Sequence, residues 1–232
     1  IVGQESTRTS FQKSILIGVS LGIISGIGAL LFFWGLEYGT ACVMEVLFGT
    51  HLPLEGQSPA DIGSWTPPVI IWLILPIICG GAFLSGLIVY FFAPEVEGHG
   101  TDAAIKAYHG DGRIRWRVPL VKAVASILTI STGGSAGREG PTAQIAAGFG
   151  SIVSDLLNLS DRERKIAIAT GIGAGIGTIF KAPLGGAILA AEILYLRDFE
   201  SDAIMPSFLA SIIGYSIFGF FEGYDPIFGT MP

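Results

Sequence analysis

The sequence predicts an all-α polytopic membrane protein whose later helices are short, broken and re-entrant. Three observations lead there. Half of the 232 residues are hydrophobic and only 14% are charged, with a mean hydropathy of +0.64, a composition outside the soluble range. Glycine is abundant, at 33 residues, which suits helices that approach closely in lipid. The apolar runs also change along the chain: long before Pro119, shorter and interrupted by glycine after it.

The first spanning segment is expected at residues 14–38, where Gly18, Gly22 and Gly26 form a small-xxx-small stripe. Trp34 and Tyr38 near its end suit a membrane–water interface. A loop at 39–67 follows, with Glu45, Glu55 and Asp61 but neither Lys nor Arg, and a second span at 68–93. The next polar stretch holds Lys106, Arg113, Arg115, Arg117 and Lys122. The positive-inside rule places it in the cytoplasm together with Arg8 and Lys13, and two intervening spans agree. The run 118–130 would be about 20 Å long as a helix, too short for a hydrocarbon core of about 30 Å. Segments 141–157 and 163–179 are marginal in length, 183–196 is short, and 203–221 is nearer full length. Arg162, Arg164 and Lys165 favour a cytoplasmic turn. Short, interrupted helices of this kind occur where irregular backbone is buried in protein or lines a cavity.

Several function classes have nothing to rest on. Thirteen basic against nineteen acidic residues give a net charge of −6 with no basic tail, which argues against nucleic acid as a partner. Cys42 and Cys79 form neither a disulfide framework nor a metal spacing. No nucleophile–base set, paired zinc ligands or phosphate cradle stands out, so an enzyme is not expected, and no cofactor or metal. The chain opens on Ile1 with no visible signal peptide, and so reads as an excerpt of a longer protein.

Gly137-Arg138-Glu139-Gly140-Pro141 is the most informative segment. It sets a carboxylate between glycines, in apolar surroundings, where a helix is expected to begin with Pro141 in its first turn. Free backbone N–H groups and the positive end of the helix dipole attract anions there. A glutamate can fill such an anion site with its own carboxylate and vacate it when protonated; the plainer reading is an acidic cap paired with Arg138. A second glycine turn, Gly98-His99-Gly100, precedes a short helix expected at 103–109. It offers either a second anion-facing turn, with His99 as hydrogen-bond donor or pH sensor, or a plain turn capped by Thr101 or Asp102. The run Gly171–Gly177 does not spell a dinucleotide fingerprint, and helix packing is its expected role. Lys122, inside an apolar run, is expected to snorkel or to pair with a buried polar group. Glu192 has two readings, a structural acceptor or part of a proton path.

At these residues the chain resembles the CLC family of chloride channels and proton/chloride exchangers. Gly137 to Pro141 matches that family's second anion-pathway motif, and Phe180-Lys-Ala-Pro-Leu-Gly-Gly186 with the helix to Glu192 matches another characteristic segment. The resemblance implies that Glu139 is a gating glutamate and that backbone N–H groups of Arg138, Glu139 and Gly140 line an anion site. It places Gly98, His99 and Gly100 at the family's first motif, with His99 replacing a serine and Thr101-Asp102 replacing Ile-Pro. It places Glu192 at the first of two adjacent glutamates and Ile193 at the second, an internal proton acceptor in several exchangers. Isoleucine carries no proton, so the expectation leans to a channel-like or uncoupled protein, with a proton-coupled chloride antiporter as the alternative.

The resemblance further implies that residues 1–232 form the first, N-terminal half of a CLC-like membrane domain, one of two inverted repeats, without the half that bears the third motif and the pore tyrosine. The implied partners are chloride or another small anion as transported ligand, protons, the lipid bilayer, the second half of the same fold, and a second copy in a homodimer. The dimer contact would draw on 183–221. The expected location is an integral, multi-pass position in the cell or inner membrane. A non-transporting membrane scaffold is the competing class.

Overall fold

The computed structural model describes residues 2–47, 49, 71–194 and 199–225, all helix or connecting turn. Most of the expected loop at 39–67, the start of the second span and the end of segment 183–196 lie outside the described residues. The helices are α1 (Val2–Ala41, continued by a π-helical turn, Cys42–Leu47), α2 (Ile74–Phe92), α3 (Thr101–His109), α4 (Arg117–Ser131), α5 (Glu139–Leu156), α6 (Asp161–Ile179), α7 (Pro183–Glu192) and α8 (Ser201–Glu222). Short 3-10 turns at Ile71–Leu73 and Pro94–Val96 bracket α2.

Among the described residues three segments are long and apolar enough to cross a membrane: Phe11–Val46, Ile74–Phe92 and Ser201–Glu222. The first outruns the expected 14–38: Gly39 does not end the helix, which runs on through Ala41 into the π-helical turn. At 15 residues α4 is about 22 Å long, still short of the core thickness. Helix α6 begins two residues ahead of expectation. There Ser160 and Glu163 form a reciprocal capping box, satisfying N–H groups that the first turn leaves open.

α6 is the hub. It packs on α1, α5, α7 and α8, while α2 touches the rest mainly through α4. The predicted glycine stripe on α1 faces α8: a Cβ on Gly22 would lie 2.9 Å from the Ala210 carbonyl oxygen, and one on Gly26 3.0 Å from Gly214 Cα. At the α6–α7 seam a Cβ on Gly186 would lie 2.4 Å from the Gly173 carbonyl oxygen. The Gly171–Gly177 run is therefore a packing device, as expected. With no hydrophobic drive between helices in lipid, such close backbone contact supplies the association energy.

The charged residues sort to the two ends. At one, Lys13 Nζ meets Glu163 Oε1 at 2.8 Å, Arg162 pairs with Asp202, and Arg164 Nη2 meets Asp155 Oδ1 at 2.6 Å. The 110–116 loop joins this basic end through Ile114 N–H, which donates to Ser151 Oγ at 2.9 Å. At the opposite end Trp34 Nε1 donates to Glu222 Oε1 at 2.6 Å, and Lys181 Nζ to the Glu222 carbonyl at 3.0 Å. Lys122 departs from the expected cytoplasmic grouping. It is only 4% exposed and its ammonium turns inward.

Candidate functional site

The turn before α3 depends on two left-handed glycines, Gly98 at φ +89° and Gly100 at φ +108°. L-residues with a Cβ avoid this region. Gly100 is the N-cap, and no side chain caps the helix. The Thr101 or Asp102 cap expected from sequence is thus replaced by a backbone turn, and α3 starts two residues earlier than 103. His99 is exposed, with Nδ1 3.2 Å from Thr101 Oγ1.

The turn before α5 places Arg138 at the N-cap and Glu139 as the first helical residue. Thr142 fastens this start, donating from N and Oγ1 to the Arg138 carbonyl at 3.1 and 2.7 Å. N–H groups in a first helical turn have no intrahelical acceptor, and Pro141 contributes none, so Glu139 and Gly140 present theirs at the helix mouth. The Glu139 side chain is exposed, whereas Gly140 is buried.

The two turns meet. A Cβ on Gly140 would lie 2.1 Å from the His99 carbonyl oxygen and 2.6 Å from His99 Nδ1. A Cβ on Gly100 would lie 2.4 Å from the Gly140 carbonyl oxygen. Only glycine at both positions allows this approach, which brings the positive ends of two helices together. Gly98, His99, Gly100, Glu139 and Gly140 are therefore one constellation. Arg138 joins through its backbone, while its guanidinium stacks on Phe180 and Phe33, 5.4 and 5.9 Å from the ring centroids.

Lys122 is the member whose part in this site sequence reading missed. Its Nζ donates to the carbonyls of Gly98 at 2.7 Å and Val96 at 3.1 Å, fastening the first turn from behind with a cationic group. An isolated lysine in an apolar run was the available signal, but its partners are backbone atoms that no side-chain pattern reveals. Gln144 escaped notice too: buried on α5, it donates from Nε2 to the Glu95 carbonyl at 3.1 Å. Outside the helix bundle, Arg115 holds the Glu95 carboxyl below its ordinary range, chiefly by donating hydrogen bonds to it.

Glu192 and Ile193 lie elsewhere. Glu192 is the exposed last residue of α7, and Ile193 packs against the cluster of Ala104, Tyr108, Leu194 and Ala203 around the far end of α3. The chain then folds back, and Glu200 N–H donates to the Ala191 carbonyl at 3.1 Å while its carboxylate accepts from the buried Tyr108 hydroxyl. Among the described residues no His, Cys, Asp and Glu cluster could hold a metal.

Broken helices whose N-termini converge define a class of membrane transport fold, and the comparisons with known proteins name it. A family profile described as voltage gated chloride channel matches residues 81–232. The chain belongs to that family, known as CLC. An uncharacterized protein of Methanocaldococcus jannaschii is 38% identical over 67% of this chain and 38% of its own length. The H(+)/Cl(-) exchange transporter ClcA of Vibrio cholerae is 29% identical over 98% of this chain and 51% of its own. The chain thus spans about half the length, or less, of the curated relatives it matches. Among solved structures, a slow cyanobacterial Cl-/H+ antiporter superposes with a TM-score of 0.74 at 24% identity, over 92% of this chain and 48% of that one. A CLC-type fluoride/proton antiporter superposes with a TM-score of 0.70 at 20% identity.

Proposed function

We propose that this chain is the first half of the membrane domain of an anion transport protein, with chloride as the transported ligand and Glu139 as its protonatable gate. The observation that carries the reading is the meeting of the α3 and α5 N-termini at Gly100 and Gly140. Their N–H groups and dipoles form a positive mouth, with the Lys122 ammonium behind it. An ionised Glu139 at the first turn of α5 competes with a bound anion for that mouth. Protonation removes its charge and its claim on the N–H groups, so anion entry rises as pH falls. His99 supplies a ring N–H in place of a hydroxyl. The rest of the pathway would come from the second half of the fold, in an integral, multi-pass protein of the cell or inner membrane. The exposed apolar residues Leu184, Ile188, Phe208 and Ile212 on α7 and α8 support a homodimer contact there.

Ile193 favours channel-like or uncoupled transport, because the position offers no proton acceptor. The Glu200–Tyr108 pair favours the exchanger as a second reading, since it sets a carboxylate beside the end of α7, close to Ile193. The test uses the intact parent protein in liposomes, recording chloride and proton flux together. Glu139→Gln is expected to remove the pH dependence of chloride flux. Equal pH dependence in wild type and variant would discard the gate, and no anion flux in either would leave a membrane scaffold. Uphill proton movement driven by chloride, abolished by Glu200→Gln, would establish exchange; chloride flux without proton movement would establish the uncoupled protein.

A further inference from the structure

We propose that the groove at the basic end, between the 110–116 loop, the start of α4 and the end of α5, binds the headgroup of an anionic phospholipid. The groove encloses about 730 Å³, and its lining includes Arg113, Arg117, Trp116, Ile152 and Leu156. Of the other charges in its wall, Arg115 is neutralised by Glu95 and Asp155 by Arg164. The guanidinium groups of Arg113 and Arg117 are in no ion pair among the described residues; the Asp111 carboxylate accepts from the Arg113 backbone N–H at 3.0 Å and leaves that guanidinium to the groove. Guanidinium is the side chain best matched to a phosphate, through paired N–H donors. Arg117 also begins α4, so the positive end of a 15-residue helix points the same way.

An apolar track favours a lipid over free phosphate. Trp116, the N-cap of α4, and Leu120 and Val124 on the helix follow one another at four-residue spacing and are 62%, 59% and 48% exposed. Leu156, 72% exposed, lines the groove together with Trp116. This stripe starts at the arginines and leads up the helix, the layout that lets a phosphate sit at Arg113 and Arg117 while an acyl chain lies along α4. Arg117 Cζ stands 5.5 Å from the Trp116 ring centroid, fixing the guanidinium at the level where tryptophan prefers the interface. The basic residues gathered at this end suit the cytoplasmic leaflet, where anionic lipids attract them. The inference rests on the bilayer reading but is independent of anion transport.

Native mass spectrometry of the intact parent protein, extracted from vesicles of equal phosphatidylglycerol and phosphatidylcholine, tests it. Wild type is expected to retain phosphatidylglycerol selectively, and the double variant Arg113→Gln, Arg117→Gln to retain on the order of tenfold less. Leu120→Asn, which leaves both charges in place, is expected to weaken retention by a smaller factor, and it carries the test where the double variant fails to fold. Equal retention by wild type and the variants, or equal retention of the two lipids, would overturn the proposal. Release of the lipid by inorganic phosphate would make the groove a free-phosphate site and overturn the commitment to lipid. Flux is not read, so failure here leaves the gate proposal standing, and failure of the gate leaves this one.

Discussion

Helices α2 and α6 have the same length, 19 residues, and opposite fates. α2 is built of Ile, Leu, Phe and Tyr, with Leu75, Phe83, Tyr90 and Phe91 each more than 65% exposed. α6 is the less apolar of the two, carrying Thr170, Thr178 and four glycines, and nearly every residue from Ala167 to Ile179 is buried. In water the more apolar helix would be the buried one. In a bilayer, lipid tails are as apolar as Leu, so apolarity decides only that a helix enters the membrane; small side chains decide which helix reaches the centre. The polar atoms of α6 are then served locally: Ser211 Oγ on α8 donates to the Gly173 carbonyl at 3.0 Å.

The contrast can be broken most severely at the α6–α7 seam. Gly186→Val is expected to abolish folding, because its Cβ would stand 2.4 Å from a backbone oxygen that no rotamer change can move. Gly80→Ala in α2 meets nothing within 4 Å and is expected to be neutral, or stabilising by up to about 1 kcal/mol through helix propensity. Thermal melts of the intact protein in detergent separate the two, and equal damage would refute the division into centre and periphery.

A middle-sized effect is expected at Lys122→Met. The side chain keeps its bulk but leaves the Val96 and Gly98 carbonyls without their donor, a cost of about 1–3 kcal/mol. Hydrogen exchange should rise selectively around residues 96–100 while the α1–α8 seam stays protected. A uniform change would mean that Lys122 supports the whole bundle rather than this turn.

The smallest effect concerns the exposed Glu95–Arg115 pair. Its carboxyl is held below the ordinary value in the folded protein, so the pair stabilises at pH above that ordinary value. The contribution is lost as pH falls through the lowered one. At a surface-exposed pair, screened by water, the contribution is small. Arg115→Gln should slightly flatten the acid limb of a stability–pH curve; an unchanged limb would show that the pair contributes nothing measurable.

Much of this was legible in the chain itself. Composition gave the membrane class, because half the residues are apolar and few are charged. The α1 stripe was visible because a four-residue spacing puts Gly18, Gly22 and Gly26 on one helix face. The carboxylate at a helix start was visible because glycine and proline punctuate local backbone. Helix ends were less legible. The Ser160-x-x-Glu163 capping box, a pattern the sequence carries but apolar periodicity overlooks, and the Gly100 N-cap, set by a backbone dihedral, each moved a boundary by two residues.

What the sequence determined by itself was therefore local: which segments are apolar enough for lipid, where backbone must turn, and that Glu139 stands at a helix mouth in the company of glycines. Tertiary structure alone decided that Gly100 and Gly140 touch, that Lys122 bonds to carbonyls 24 and 26 residues away, and that α6 rather than α2 lies at the centre. The physical reason is range. Helix starts and turns are set by dihedrals and hydrogen bonds among neighbours, whereas convergence of two helix ends depends on how several small-residue seams close together, and no single seam carries that information.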